Sequence, residues 1–482
     1  MKIIGREREL AELRYRYESG RPEFVAVYGR RRVGKTYLVR ETFRDKFAFY
    51  HTGLSPYDEQ RKITMADQLL HFYHSLLQYG MDESACPANW LDAFFMLDAL
   101  LKQKARPGVR QVVFIDELPW IDTPRSGFIT ALEAFWNSRQ AGNEQMMLIV
   151  CGSATSWMLD NLINNIGGLY GRITQSIHLS PFSLGECEAF FADRGVVMSR
   201  YDILTAYMVL GGVPFYLDKF NRGLSLAQNL DKILFESRSL LQGEFQRLFG
   251  SLFACPEPYI KVVEMLSKRR YGFTRSEIAK SIGVTSGEGI TKVLNALEAS
   301  EFIVKYKPFD TISRGERLYR LIDPFCRTYF SFIASQTSLD AHFWQNNQHK
   351  PQLLAWQGLA FEDVCLIHIR QIKEALGFGS INTEESILTL RADEHHNGTQ
   401  CDLIIRRSDH VVNLCEMKFC SSEFAIDKTY DMVLRNRISR LQQHLKAKES
   451  IHLTFITTFG VKHGMYSGIV QAAITADALF RP

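Results

Sequence analysis

The chain has 482 residues, 46% hydrophobic and 23% charged, with 57 Lys and Arg against 53 Asp and Glu, a formal net charge of +4. That balance excludes a disordered or collagen-like polymer, and at roughly 100–200 residues per domain the length predicts two to four globular domains. It neither requires nor excludes a nucleic-acid partner, so local charge has to decide.

Nine cysteines are scattered without a C-x-x-C pair. The odd number and the apolar settings ("LIVCGS", "VNLCEMKFC") argue against a disulfide framework and against a zinc site, and imply a reduced, cytoplasmic setting. The start "MKIIGREREL" lacks the apolar stretch of a signal peptide, and no run of 18 apolar residues exists to span a membrane.

From the first residues onward, "FVAVYG" (24–29) reads as a short buried strand and "KTYLVRETF" (35–43) as a helix. Between them stands "GRRRVGKT" (29–36), which has the spacing of a phosphate-binding turn in the strand-to-helix context that such a turn needs. Gly29 and Gly34 let backbone N–H groups approach a phosphate, and the helix start adds partial positive charge. Lys35 is expected on the β- and γ-phosphates and Thr36 on Mg²⁺. Arg30, Arg31, Arg32 and Val33 fill the variable positions of the same cradle; the arginine side chains are open to solvent, phosphate or a partner surface.

"VVFI" of "QVVFIDELPW" (111–120) reads as a second buried strand. Asp116 at its end is expected to hold Mg²⁺ through water, and Glu117 to polarise the attacking water. "QMMLIVCGSA" (145–154) ends at Ser153, placed to sense the γ-phosphate. In "GGLYGRIT", Arg172 is either a cation for transition-state charge, within one chain or across a subunit interface, or a plain surface arginine. With "FAFYHTG" (47–53) and "SIHLSPF" (176–182), five parallel strands alternate with helices, which predicts a three-layer α/β sandwich.

"GRRRVGKT", "VVFIDELPW", "LIVCGSA", "LYGRIT" and "GGVPFYL" (211–217), in this order, resemble the archaeal-type predicted ATPases of the AAA+/STAND group. The resemblance covers roughly residues 1–235 and implies ATP, where spacing alone implies only a nucleoside triphosphate. It places "IIGREREL" near the adenine and Pro214 of "GGVP" in a helical lid that approaches the nucleotide. It also leaves self-association open, since AAA+ relatives often form rings while this group works as monomers or small oligomers.

Helical stretches through 181–255 complete the lid and connector, and "FACPEPYI" (253–260) marks a boundary. From 256 to 325 the order helix, helix, turn, helix, hairpin reads as a winged helix, with Thr274 and Glu277 as a capping box and Gly283 as a stop. Residues 258–320 hold 12 Lys and Arg against 7 Asp and Glu, which favours DNA. Thr285, Ser286, Thr291 and Lys292 would meet base edges, and Arg314 and Arg317 would sit on the wing. Packing against a neighbouring domain is the alternative role for such a module.

The tail, 326–482, holds "TQCDLIIRRSDHVVNLCEMKFC" (399–420). Two strands joined at "SD" put Asp402 on one strand and Glu416 and Lys418 on a common face of the next. Two carboxylates and an amine suit Mg²⁺ or Mn²⁺ with an aligned water, while a structural ion pair is the alternative. The pattern resembles the PD-(D/E)xK core of restriction-endonuclease-like domains, with Cys401 where the motif's name has proline. The resemblance implies a glutamate on an earlier helix, matched by Glu362 in "WQGLAFEDVCLIHIRQI" (356–372). Tyr430 and Arg437 on the helix 428–445 would face the same site.

Two functions follow. One is an ATPase, 1–180 with its lid at 181–255, that acts on DNA through the winged helix and cuts phosphodiesters with its tail. The other is an ATP-controlled assembly switch whose tail only recognises nucleic acid or protein. Neither implies a membrane or a small-molecule substrate beyond ATP.

Overall fold

The computed structural model describes residues 2–56, 61–140, 145–164, 167–283, 287–309, 317–336, 340–390 and 398–482. They form two compact units, Met1–Ser180 with Arg247–Pro256, and Pro181–Gln246 with Glu257–Pro482. Thr285, Ser286 and Arg314 lie outside the described residues.

In the first unit β1 (Glu23–Tyr28), β2 (Phe47–Thr52), β3 (Gln111–Asp116), β4 (Met146–Gly152) and β5 (Gln175–His178) form one parallel sheet in the order β2-β3-β4-β1-β5. Continuous apolar runs make these strands because both faces are covered. Val25 and Val27 of β1 pack with α1 (Glu7–Glu18) and α2 (Lys35–Phe43) through Leu13, Leu38 and Phe43. Phe24 and Ala26 point the other way, toward α3 (Met65–Gln78), α4 (Trp90–Lys104) and α5 (Phe128–Gln140), where Phe72, Leu97 and Trp136 meet them. The result is the expected three-layer α/β arrangement. Each fully buried Leu or Phe contributes about 1.5–3 kcal/mol, so the central strands are the most firmly held part of the unit. Register aligns the carboxyl ends: Tyr28 sits beside Gly152, and Thr52 beside Asp116. The segments after β1, β3 and β4 therefore leave the sheet along one edge, where open parallel sheets bind ligands.

The second unit opens with α6 (Leu184–Asp193) and α7 (Arg200–Leu210), each started by a serine capping box. Then come α8 (Glu257–Ser267), β6 (Phe273–Thr274), α9 (Arg275–Ile282), α10 (Gly287–Ala299), β7 (Ile303–Pro308), β8 (Leu318–Leu321) and α11 (Pro324–Phe332). Thr274 and Glu277 do form the capping box of α9, and Gly283 closes it at φ 71°. The remainder is α12 (Pro351–Ile367), β9 (Thr383–Leu390), β10 (Thr399–Arg407), β11 (Val411–Lys418), α13 (Lys428–Gln442), β12 (Ser450–Thr457) and β13 (Ala472–Thr475). One eight-stranded sheet, β13-β12-β11-β10-β9-β7-β8-β6, runs through all of these strands. The β9–β10–β11 pairs are antiparallel and the β11–β12–β13 pairs parallel. The join between its halves is short: β7 pairs β9 through Lys307–Ser386 and Pro308–Ile387.

The helix expected over 356–372 is broken in two. α12 stops at Ile367, and His368 at φ −101°, ψ 28° leaves helical geometry before a second helix, Ile369–Ala375. Imidazole bonds hold that break: Nδ1 lies 2.9 Å from the Val364 carbonyl, and Nε2 accepts the Leu184 N–H at 3.0 Å. Among the described residues no helix is long and apolar enough to cross a membrane.

Candidate functional site

At the carboxyl edge of the first sheet the chain turns from β1 into α2. Gly29 at φ 142° passes so close to the next strand's exit that a Cβ there would lie 2.3 Å from the Leu179 carbonyl oxygen. Gly34 at φ 95° caps α2 in the left-handed region, and nothing lies within 4 Å of where its Cβ would be. The first glycine is therefore required by crowding, and the second by conformation beside open space. Arg30 and Val33 are buried, Arg32 takes φ 70°, and the Arg31 guanidinium sits 5.9 Å over the Trp120 ring.

Lys35 is 4% exposed, and its ammonium donates to the carbonyls of Gly29 at 2.9 Å and Arg30 at 3.0 Å and to Ser153 Oγ at 3.1 Å. Burial lowers its pKa against the pull of Glu117 and Asp116. Thr36 Oγ1 donates to Asp116 Oδ2 at 2.7 Å. Burial first, then Glu117, push the Asp116 carboxyl up to about 6, against the Thr36 hydrogen bond and Lys35. Glu117 takes φ 52°, a strained setting for a side-chain-bearing residue. Both its oxygens are held by Ser153, from the backbone N–H at 3.0 Å and from Oγ at 2.5 Å. Lys35, Thr36, Asp116, Glu117 and Ser153 thus form one bonded constellation. Its paired hydroxyl and carboxylate are hard oxygen donors, the chemistry Mg²⁺ takes.

Arg6 is a member that sequence reasoning missed. At φ 70° and 6% exposed, it donates to the carbonyls of Ser180 at 2.7 Å and Val33 at 3.4 Å, tying the N-terminal segment to the phosphate turn. Thr174 N–H bonds the Phe24 carbonyl, so Arg172 lies at the amino edge of the sheet, on an exposed turn. At about 3.3 Å per residue along β1 that edge is some 16 Å from the phosphate turn. Pro214 is the first residue of a short helix, Pro214–Leu217, in the second unit.

In the second unit the tail carboxylates converge. The β10–β11 register, Leu403 opposite Cys415, continued one step sets Asp402 across from Glu416. Asp402 also falls where the pairing of β10 with β9 shifts between Cys401 and Ile404, a bulge of the kind that re-aims a side chain. Glu416 is fully buried; it accepts from Tyr430 Oη at 2.6 Å and from Arg437 Nη1, with Lys418 Nζ at 3.7 Å. Lys418 Nζ lies 5.1 Å over the Tyr430 ring. Glu362, on α12, is 4% exposed, and burial followed by Asp402 pushes its carboxyl up to about 7 against Arg270 and Arg320. Asp402 is likewise raised, by burial and by Glu416, against Arg270.

A cleft of about 300 Å³ opens beside this cluster, lined by Arg270, Tyr271, Glu362, Asp402, Lys418 and Arg437 among others. Among the described residues no group of three or more His, Cys, Asp or Glu side chains is arranged to hold a metal ion. The donor types suit Mg²⁺ or Mn²⁺, but each carboxylate already holds a cation of the protein itself. Two of these cations were not legible from local sequence. Arg270 bonds Glu362 and Asp402, and Arg320 of β8, 1% exposed, bonds Asp363 at 2.6 Å and approaches Glu362 at 3.6 Å. On α10, the Thr291 hydroxyl accepts from Arg275 Nε at 3.0 Å, while Lys292 and Arg317 are exposed.

Residues 3–220 match the family described as an ATPase domain predominantly from Archaea. An uncharacterized protein of Methanocaldococcus jannaschii, MJECL04, is 24% identical over 365 residues, 75% of this chain and 76% of its own length. Among solved structures, the Walker-type ATPase PABY2304 of Pyrococcus abyssi is similar at 18% identity and a TM-score of 0.48, over 68% of this chain and 96% of that one. The ORC2 protein of Aeropyrum pernix, solved as ADPNP–ADP complexes, is similar at 12% identity and a TM-score of 0.42, over 76% and 96%.

Proposed function

We propose that this protein binds and hydrolyses ATP at the phosphate turn, and that its second unit, with a winged helix and a nuclease-like tail, binds DNA and cleaves phosphodiesters. The observation that carries the first half is the bonded set Lys35, Thr36, Asp116, Glu117 and Ser153 at the carboxyl edge of a parallel sheet. Lys35 would exchange its carbonyl partners for phosphate oxygens. Thr36 and Asp116 would hold Mg²⁺, which supplies positive charge to the β- and γ-phosphates. Glu117 would take the proton of the attacking water as its oxygen bonds the γ-phosphorus and the β–γ bridge breaks, giving ADP and inorganic phosphate. For that, Glu117 must leave Ser153, which holds both of its oxygens. Hydrolysis is therefore gated by a side-chain swing.

The helix–hairpin segment of α8 to β8 and the topology of α12, β9 to β11, α13 and β12 support the winged-helix and nuclease-like readings. In the tail, Asp402 and Glu416 would hold Mg²⁺ or Mn²⁺, a Lewis acid that makes bound water nucleophilic near pH 7. Lys418, on the same face, would orient the water or offset charge on the phosphate. Glu362 completes the acid patch. Local charge favours DNA less than composition alone gives, because Arg270 and Arg320 neutralise acids of the tail.

One observation favours the second reading, a tail that recognises without cutting: the carboxylates are each already paired with arginine. A nicking assay with Mg²⁺ or Mn²⁺ on DNA and RNA separates the two. The cleaving reading expects turnover by the wild type and none by a Glu416→Ala, Lys418→Ala double variant. Equal inertness of both proteins on every substrate would leave only recognition.

A further inference from the structure

We propose that Arg270 is an internal counter-cation that stands in for the divalent metal at the tail carboxylates, so that a metal ion enters only as the guanidinium leaves. This rests on the reading of Asp402 and Glu416 as a metal site, and adds to it a residue from a different part of the chain.

Arg270 reaches in from the turn between α8 and β6. Its Nε donates to Glu362 Oε2 at 2.8 Å, while Nη2 lies against Glu362 Oε1 and 2.6 Å from Asp402 Oδ1. One planar group therefore uses both oxygens of Glu362 and one of Asp402. These acids are 4% and 6% exposed. Two carboxylates so close and so dry repel each other and need a cation between them. Mg²⁺ and Mn²⁺ bind through the same carboxylate lone pairs, so the two occupants exclude each other.

The other arginines are differently placed. Arg320 is buried behind the acids and bound to Asp363, which Arg327 also approaches, at 2.5 Å. Arg437 serves Glu416. Arg270 is more exposed, its side chain 28% accessible, and it lines the cleft. Its backbone is pinned. Neighbouring Arg269 grips both oxygens of Glu277 at 2.7 Å and the Gly272 carbonyl at 2.7 Å. Gly272, at φ 76°, packs so that a Cβ would lie 2.0 Å from the Tyr319 carbonyl oxygen. Release is therefore a side-chain swing into the cleft. A phosphodiester lying there would offer Arg270 replacement oxygens, so phosphate and divalent cation enter together and an empty tail stays closed to metal.

The test is Mn²⁺ binding to the full, nucleotide-free chain, followed by electron paramagnetic resonance of free Mn²⁺. Wild type, Arg270→Ala and Arg270→Gln are each compared with the same protein carrying Asp402→Asn, which isolates the tail site from the phosphate turn. Arg270→Gln keeps hydrogen-bond donors without the charge, and covers the case in which the alanine variant does not fold. The proposal expects Asp402-dependent Mn²⁺ affinity to rise at least tenfold in both Arg270 variants. Asp402-dependent binding of equal strength in all three proteins would overturn the stand-in role and leave the metal site intact. No Asp402-dependent binding in any of them would overturn both.

Discussion

His368 gives a prediction in which buried hydrogen bonds set the direction and the depressed pKa sets the size. It is 1% exposed, its Nε2 accepts the Leu184 N–H at 3.0 Å, and its Nδ1 faces the Val364 carbonyl at 2.9 Å. That fixes the neutral tautomer with the proton on Nδ1. A second proton would set N–H against N–H inside the core, and burial holds the ring's pKa down to about 4 from 6.5. The unfolded chain therefore takes up a proton near pH 6.5 and the folded chain only near pH 4. Stability from this group is complete above pH 7 and is lost as pH falls through that window. Between pH 7 and pH 5 the loss is about 2 kcal/mol, and by pH 4 about 3 kcal/mol. Urea unfolding of wild type and His368→Gln at pH 7 and pH 5 measures it as a difference of differences. His51, also depressed by burial, to about 3, is common to both proteins and cancels. The variant starts less stable but should lose about 2 kcal/mol less on acidification. Equal losses in the two proteins would refute the neutral, hydrogen-bonded imidazole as the source.

Ser153→Ala should lower ATP turnover about tenfold or more, since it removes the hydroxyl beside Lys35 that is left to bond the γ-phosphate once Glu117 has swung away. Phosphate release under saturating ATP checks this, and unchanged turnover would separate Ser153 from the chemistry. Glu416→Ala should also destabilise the second unit by about 3–5 kcal/mol, because it strands Arg437 and Tyr430 beside a buried gap. Urea unfolding reads that loss, and a variant as stable as the wild type would mean the Glu416 ion pair contributes little to folding.

The phosphate turn and its acids are legible because each motif is contiguous and ends a buried apolar run. "FVAVY" and "VVFI" mark the strands, and the loops leaving them must exit at the same sheet edge. Asp402, Glu416 and Lys418 are legible for a similar reason, since two adjacent strands with period two fix their common face. The contacts that stay hidden depend on long-range closure. Arg270 and Glu362 are 92 positions apart, and nothing in "SKRRYG" says which of two adjacent arginines turns toward the tail. The pairing of β7 with β9 is hidden likewise, being set by two residue pairs between segments that read as separate domains. Charge composition at 258–320 cannot see partners outside the window, such as the tail acids that Arg270 and Arg320 bond. Arg172 is ambiguous in sequence, and the strand register decides which edge of the sheet it occupies.

The sharpest check on nucleotide binding is calorimetric titration of ATP with Mg²⁺ into the intact protein, and into a Lys35→Ala variant that unfolds at the same temperature. The wild type should take up one ATP, and the variant should lose that uptake because its triphosphate has no ammonium to meet. Wild-type protein that is folded but takes up no ATP, or a variant that binds it as tightly, would contradict a phosphate site at this turn.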